Sequence, residues 1–283
     1  MNARLVWRKF VNMVMLGLTG LCALLSVSVL IFVLAYLGWN GWHYLNWSFL
    51  TQLPKPVGET GGGMANAIVG TGKLLLIAAL TGIPAGFLGG VYLAEFGGKT
   101  FSFLVRYTAD LLNGVPSIVM GIFAYTIVVL PLHHFSAFAG GLALGVMLIP
   151  IVLRSTEQFL RAVPRPLREG ALALGASKWK AIATVVIPAS SRAIATGAIL
   201  GLARVAGETA PLLFTSLNND FWSHGWGEPT ASLPVMIFNY AMSPYDEWHQ
   251  QAWAAGFVLL MLVLVANIGA RLILSQRAPA ARG

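Results

Sequence analysis

The chain alternates between long apolar runs and short polar stretches, and the apolar runs are the length of a membrane crossing, about 20 residues each. The pattern predicts six helical spans, at about 14–38, 66–95, 114–131, 137–154, 191–216 and 251–274. Trp39, Trp42, Tyr44 and Trp47 follow the first run at once, as an aromatic belt does at a membrane surface. The second run is interrupted by Gly82, Pro84, Gly86, Gly89 and Gly90. Proline removes a backbone donor and kinks a helix, while small residues let helices approach closely. Residues 48–63 read as a polar loop ending in three glycines, and the segment with Lys99 and Arg106 as a short loop. His133 and His134 mark a tight turn before the fourth run, and an aromatic-rich loop without Lys or Arg precedes the sixth.

Composition agrees with this reading. Of 283 residues, 57% are hydrophobic and 10% charged, where a soluble domain carries about 25% charge. The net charge of +8 does not point to nucleic acid, because the charges cluster at the ends of the apolar runs. Placing the basic residues on one side of the membrane gives three before the first run, Lys99 and Arg106 after the second, seven between the fourth and fifth, and three at the C-terminus. That side holds 15 of the 18 Lys and Arg, and Lys55 alone stands opposite. Lys73 and Arg204 lie within runs. By the positive-inside rule both termini are cytoplasmic. The apolar run from Val11 to Gly38 is longer than a cleavable leader core, so it reads as an uncleaved span. Cys22, the one cysteine, allows no intrachain disulfide. The fold class is therefore an all-α polytopic membrane protein, with 1–62 as a first helix and outer loop, 63–275 as the core and 276–283 as a cytoplasmic tail.

The longest polar stretch, 154–192, carries Arg154, Arg161, Arg165, Arg168, Lys178, Lys180 and Arg192 against Glu157 and Glu169. Leu167, Ala171, Leu174 and Ala176 can share one helix face, with Gly175 breaking it. Two readings stand side by side: a docking helix for a soluble partner, or a basic helix on anionic lipid head groups. The fifth run holds Arg204 and Glu208 four residues apart, on one face if the helix is continuous. An arginine at the centre of a span costs roughly 2.5–3.5 kcal/mol, so it faces a polar cavity or a partner. A guanidinium fork suits a tetrahedral oxyanion. A structural ion pair is the competing account. Lys73 either snorkels outward or adds positive potential on an anion's route.

Chemistry is otherwise sparse. Gly70-Thr71-Gly72-Lys73 looks like the end of a phosphate loop but lacks the earlier glycine and is followed by Leu74. His43, His224 and His249 lie beside tryptophans in outer loops. No metal-ligand spacing, nucleophile motif or catalytic carboxylate pair is present, so no catalytic or metal site is expected.

The string Glu169-Gly170-Ala171, then Gly175, then Val185-x-Ile187-Pro188 resembles the E-A-A-x3-G-x9-I-x-L-P loop of importer-type ABC permeases, with Gly170 in place of Ala. That change weakens a helix by roughly 1 kcal/mol. Ala203-Arg204-x-x-Gly207-Glu208-Thr209-Ala210-Pro211-Leu212-Leu213-Phe214-Thr215 is similar to the matching span of the phosphate importer permeases, PstA-type subunit. Gly114-Val115-Pro116-Ser117-Ile118-Val119, Asn66-Ala67-Ile68-Val69-Gly70-Thr71, Tyr92-Leu93-Ala94-Glu95 and Ser232-Leu233-Pro234-Val235-Met236-Ile237 resemble the same group. The likeness covers most of 62–272, and Lys73 departs from it.

The resemblance implies a type-I importer permease (MetI-like) fold in a bacterial inner membrane. It implies Arg204, Glu208 and Thr209 on a phosphate pathway, and Glu169, Gly170, Ala171 and Gly175 as the ATPase coupling element. It implies a homologous PstC-type permease, two PstB-type ATPases that bind ATP and magnesium, and a PstS-type phosphate-binding protein. No cofactor belongs to this chain. A permease for molybdate or sulfate and an ion-coupled secondary transporter are the alternatives. Arg154 to Arg165 are expected to fix topology, Pro188 to end the coupling element, and that element to lie about eight turns from Arg204 on one rod.

Overall fold

The computed structural model describes residues 3–56, 58–59 and 61–276, and among these it contains helices and no strand. Arg277 and Arg282, counted above in the cytoplasmic tail, lie outside the described residues. In chain order the helices are α1 (Ala3–Tyr44), α2 (Trp47–Thr51), α3 (Ala65–Glu95), α4 (Lys99–Gly114), α5 (Ser117–Ala124), α6 (Leu130–Leu132) and α7 (Ala137–Ala162). They continue as α8 (Arg165–Ala173), α9 (Lys178–Ala181), α10 (Ile187–Val205), α11 (Ala210–Leu213), α12 (Leu233–Ala241) and α13 (Asp246–Gln276). Single π-turns join α5 to α6 (Tyr125–Val129) and α9 to α10 (Ile182–Val186). Among the described residues five helices are long and apolar enough to cross a membrane, and α4 with α5–α6 forms a sixth, bent by 103°.

The centre is the α3–α7 pair. Gly82, Gly86 and Gly90 on α3 face Leu148, Val152 and Thr156 on α7, and Gly141 and Gly145 on α7 receive Ile77 and Thr81 from α3. A Cβ at any of these glycines would collide with its neighbour. In lipid, helices associate through packing and hydrogen bonds, so backbones brought this close at i, i+4 intervals supply the adhesion. Leu74, Ile77, Leu144, Leu148, Val152, Ala198, Val205, Leu212 and Val235 fill the core around them. Pro84 sits inside α3 without ending it.

Both π-turns stand immediately before a proline. Leu130 donates to the Tyr125 carbonyl ahead of Pro131, and Ile187 to the Ile182 carbonyl ahead of Pro188. Proline has no N–H and clashes with the carbonyl four residues back; widening the preceding turn lets the helix continue. Pro188 therefore does not end an element. Lys178–Val205 is one 28-residue rod.

Several predicted boundaries shift. The segment with Lys99 and Arg106 is the helix α4, and the 48–63 loop begins with α2. The stretch 154–192 is mostly helical: α7 runs on to Ala162, and only 163–164 and 174–177 lie between helices before the rod begins. The fifth run is broken between Val205 and Ala210. The helix α1 touches α13 through Tyr36 on Trp253 and Trp42 on Phe257, while its N-terminal part is exposed.

Candidate functional site

The break after Val205 follows from two residues. Gly207 is a poor helix former, and Pro211 would clash with the carbonyl of Gly207 in a continued helix. The chain makes a turn instead: Gly207 N–H donates to Arg204 and Glu208 N–H to Val205. A second break lies at Val115–Pro116, where Val115 is extended, as the residue before a proline prefers, and Pro116 at ψ 134° is also outside the helical range. The two breaks meet because α5 crosses α11 closely, with Gly121 against the Pro211 backbone.

A cavity of about 160 Å³ opens at this crossing, lined in part by Asn113 and Ser117 from the first break, Met147 and Ile151 from the middle of α7, and Arg204 and Glu208 from the second. A site of ~10–15 Å³ on the same measure holds one water, so this one has room for a polyatomic anion. Arg204 is exposed and Glu208 half-buried. The expected helix-face pairing of Arg204 with Glu208 does not occur. The helix ends between them, and no ion pair joins them among the described residues. Arg204 instead lies in the last turn of α10, where a cation gains about 0.3–1 kcal/mol from the helix dipole. Thr209 is half-buried at the start of α11, outside the cavity lining. Asn113 and Ser117 were not anticipated; the Gly114-Val115-Pro116 break was the available clue to them.

Lys73 is explained by a contact. Its Nζ donates to the Ser223 carbonyl at 2.5 Å and ties α3 to the loop between α11 and α12. In that loop the backbone N–H groups of Gly225 and His224 donate to Glu228 and hold its carboxyl below the usual carboxylate range.

The stretch from Arg165 to Ala181 forms a helix–turn–helix corner. Gly175 adopts φ +83°, its N–H donates to the Leu172 carbonyl at 2.9 Å, and Ala176 N–H donates to the Ala171 carbonyl at 3.1 Å. These are the two bonds of a Schellman cap, which needs a left-handed residue that glycine supplies at no steric cost. Ser177 then caps the rod, accepting from Lys180 N–H. Glu169, Gly170 and Gly175 are exposed and Ala171 is half-buried, with Leu174 91% exposed and Trp179 62%. The corner departs from the expected single rod: Glu169 to Gly175 lie on a separate short lever, turned at Gly175, and the rod toward Arg204 starts at Lys178.

The chain matches the family model "Binding-protein-dependent transport system inner membrane component" over residues 82–277. It is 44% identical over 272 residues to the "Phosphate transport system permease protein PstA" of Yersinia pestis, covering 96% of this chain and 92% of the relative. It is 41% identical over 277 residues to the protein of the same name in Haemophilus influenzae, with 98% of each covered. This chain belongs to the PstA family of permeases. Among solved structures it is similar to the MetNI methionine ABC transporter in an inward-facing conformation, with a TM-score of 0.61 at 16% identity over 76% of this chain and 97% of that one. A bacterial ABC transporter involved in the import of the acidic polysaccharide alginate gives 0.55 at 16%, over 76% and 80%. Those likenesses concern the fold, which is that of the type-I importer permeases.

One cluster in this family member was not foreseen. Glu157, 2% exposed, is bound by Arg106 Nε at 2.6 Å, Arg154 Nη1 at 2.9 Å and Arg161 Nη2 at 3.0 Å. Arg154 also reaches Asp110 at 3.0 Å, and Arg161 donates to the Leu93 carbonyl at 3.2 Å. Arg168 on α8 pairs with Glu95 at the end of α3 and donates to the Leu160 carbonyl. Lys178 donates to the Glu95 carbonyl and lies over the Phe96 ring. Arg154 and Arg161, expected mainly to fix topology, thus clamp α3, α4 and α7 with Arg106, and Arg168 ties α8 to α3 beside them.

Proposed function

We propose that this chain forms half of the translocation pore of an ATP-driven phosphate importer. The observation that carries this reading is the placement of an unbridged Arg204 and Glu208 on one cavity, where two broken spans cross, in a chain of the PstA family. Its partners are a homologous PstC-type permease that closes the exposed Arg204 face, two PstB-type ATPases, and a PstS-type binding protein. The termini and the α8 corner lie in the cytoplasm, as the distribution of basic residues supports. Arg204 holds the phosphate oxygens during passage, and Asn113 and Ser117 contribute neutral donors. The surface of Leu174, Trp179 and Glu169 seats in the ATPase. ATP and magnesium bind to that subunit; Gly70–Lys73 of this chain are an interior turn of α3. Closure of the ATPase dimer draws the coupling corners together and opens the pore outward, and hydrolysis resets it.

The test is reconstitution of the full chain with its permease, ATPase and binding-protein partners in vesicles. ATP-dependent uptake of labelled phosphate, with little uptake of molybdate or sulfate, is the expected result. Uptake by this chain alone in an ion gradient, without ATP, overturns the reading. A local prediction concerns the lever. Gly175→Ala forces an L-residue into the left-handed region at a cost of about 1–2 kcal/mol, so the Schellman cap opens and α8 swings. Copurification should then recover several-fold less ATPase per permease, and unchanged recovery would show that the cap does not set the docking angle.

A further inference from the structure

The Arg204 cavity contains a group that anion holding does not require. Glu208 is a carboxylate facing the same space, and among the described residues no hydrogen bond or ion pair engages its side chain. A carboxylate beside a transit site for anions weakens every anion's binding unless the anion can give it a proton to share. The other polar side chains on the cavity, Arg204, Asn113 and Ser117, can all donate. A carboxylate, by contrast, can only accept. The cavity therefore offers several donors and one dedicated acceptor, a pattern that distinguishes tetrahedral anions by whether they keep an O–H.

We propose that Glu208 is a specificity-determining residue that admits protonated oxyanions, hydrogen phosphate and dihydrogen phosphate, and rejects fully deprotonated ones such as sulfate, by accepting a hydrogen bond from the anion's O–H. This rests on the reading of the cavity as the anion's path. Phosphate near neutral pH carries at least one O–H to point at Glu208 while its other oxygens meet Arg204, Asn113 and Ser117. Sulfate has no proton there. One of its oxygens must face the carboxylate, and like charges then meet in a site from which water is partly removed. Discrimination of this kind comes from a repulsive element set against the wrong ligand as well as an attractive one for the right ligand. A pore that reads the proton would not conduct sulfate offered at high concentration.

The experiment uses the assembled, nucleotide-free complex in detergent with the binding protein left out, so that selection by that protein plays no part. Inorganic phosphate is followed by its phosphorus resonance. Monofluorophosphate, a dianion of the same shape with fluorine in place of the O–H, is followed by its fluorine resonance. Wild type should bind phosphate at least about tenfold more tightly than monofluorophosphate, as read from line broadening across a titration. Glu208→Gln should bring the two within about twofold, and Arg204→Gln should remove binding of both. Equal binding of the two anions by wild type overturns the proposal and needs no variant to be made. A tenfold preference that survives Glu208→Gln overturns it as well. If Arg204→Gln leaves phosphate binding intact, the path reading falls with it. If Arg204→Gln abolishes binding while Glu208→Gln keeps the preference, only the selectivity proposal falls.

Discussion

Replacing Arg204 with Gln is expected to reduce phosphate uptake by at least about a hundredfold while the transporter stays assembled. A charge-assisted hydrogen bond contributes about 1.5–3 kcal/mol, and two from one guanidinium to one anion reach about 3 kcal/mol or more, or a hundredfold in an equilibrium constant. Assembly should survive because Arg204 stands at a helix end, lines the cavity and is in no ion pair among the described residues, so no packing within this chain depends on it. What the variant loses in stability is the dipole contribution of about 0.3–1 kcal/mol. Arg204→Lys restores charge without the planar fork and should recover part of the uptake. The measurements are labelled-phosphate uptake in reconstituted vesicles and copurification of the ATPase from the same preparation. A complex that falls apart with Arg204→Gln would make the residue a packing element.

The difference between what the sequence conveys and what it hides can be traced to particular residues. The spans of α3, α7 and α13 are legible because their apolar runs exceed the membrane thickness, and the glycines of α3 announce a close helix neighbour without naming α7. The helix α4 is hidden because Lys99, Arg106 and Asp110 interrupt its apolar positions, which leaves a surface-helix pattern inside a search for spans. The break after Val205 was written in Gly207 and Pro211, but the apolar residues around them continue the run. Two strings that resemble the PstA family, around Pro116 and around Pro211, prove to be neighbours in space at Gly121. Each contributes a helix break to the same cavity. The cluster at Glu157 is half legible: Arg154 and Arg161 stand at helical spacing from it, whereas Arg106 is 51 residues away and joins only through the packing of α4 on α7.

Glu157→Ala should be the most damaging single substitution behind the corner at Gly175. The carboxylate is buried, and it is the centre of three guanidinium contacts. Its removal does not leave the three arginines equally placed. Arg154 retains Asp110 and Arg161 retains the Leu93 carbonyl, whereas no other partner of Arg106 is seen among the described residues. Breaking a fully buried pair by removing one member costs about 3–5 kcal/mol; because the Arg106 side chain stays 28% exposed, the lower end of that range, about 3 kcal/mol, is expected here. In a chain of this size that corresponds to a fall in thermal midpoint on the order of 10 °C. The damage should spread to function, since α4 and the last turns of α7 lose their shared anchor, and it is on those turns, at the Leu160 carbonyl, that Arg168 seats the helix Arg165–Ala173. Uptake and ATPase recovery should therefore fall together, unlike the separation expected for Arg204. The decisive comparison is the double variant Glu157→Leu with Arg106→Leu. Replacing both members of a buried pair by apolar side chains is often neutral, so the double variant should regain much of the midpoint lost by Glu157→Leu alone. If the single variant melts at the wild-type temperature, the cluster is not a clamp. If the double variant is worse than the single, Arg106 acts through a contact other than Glu157.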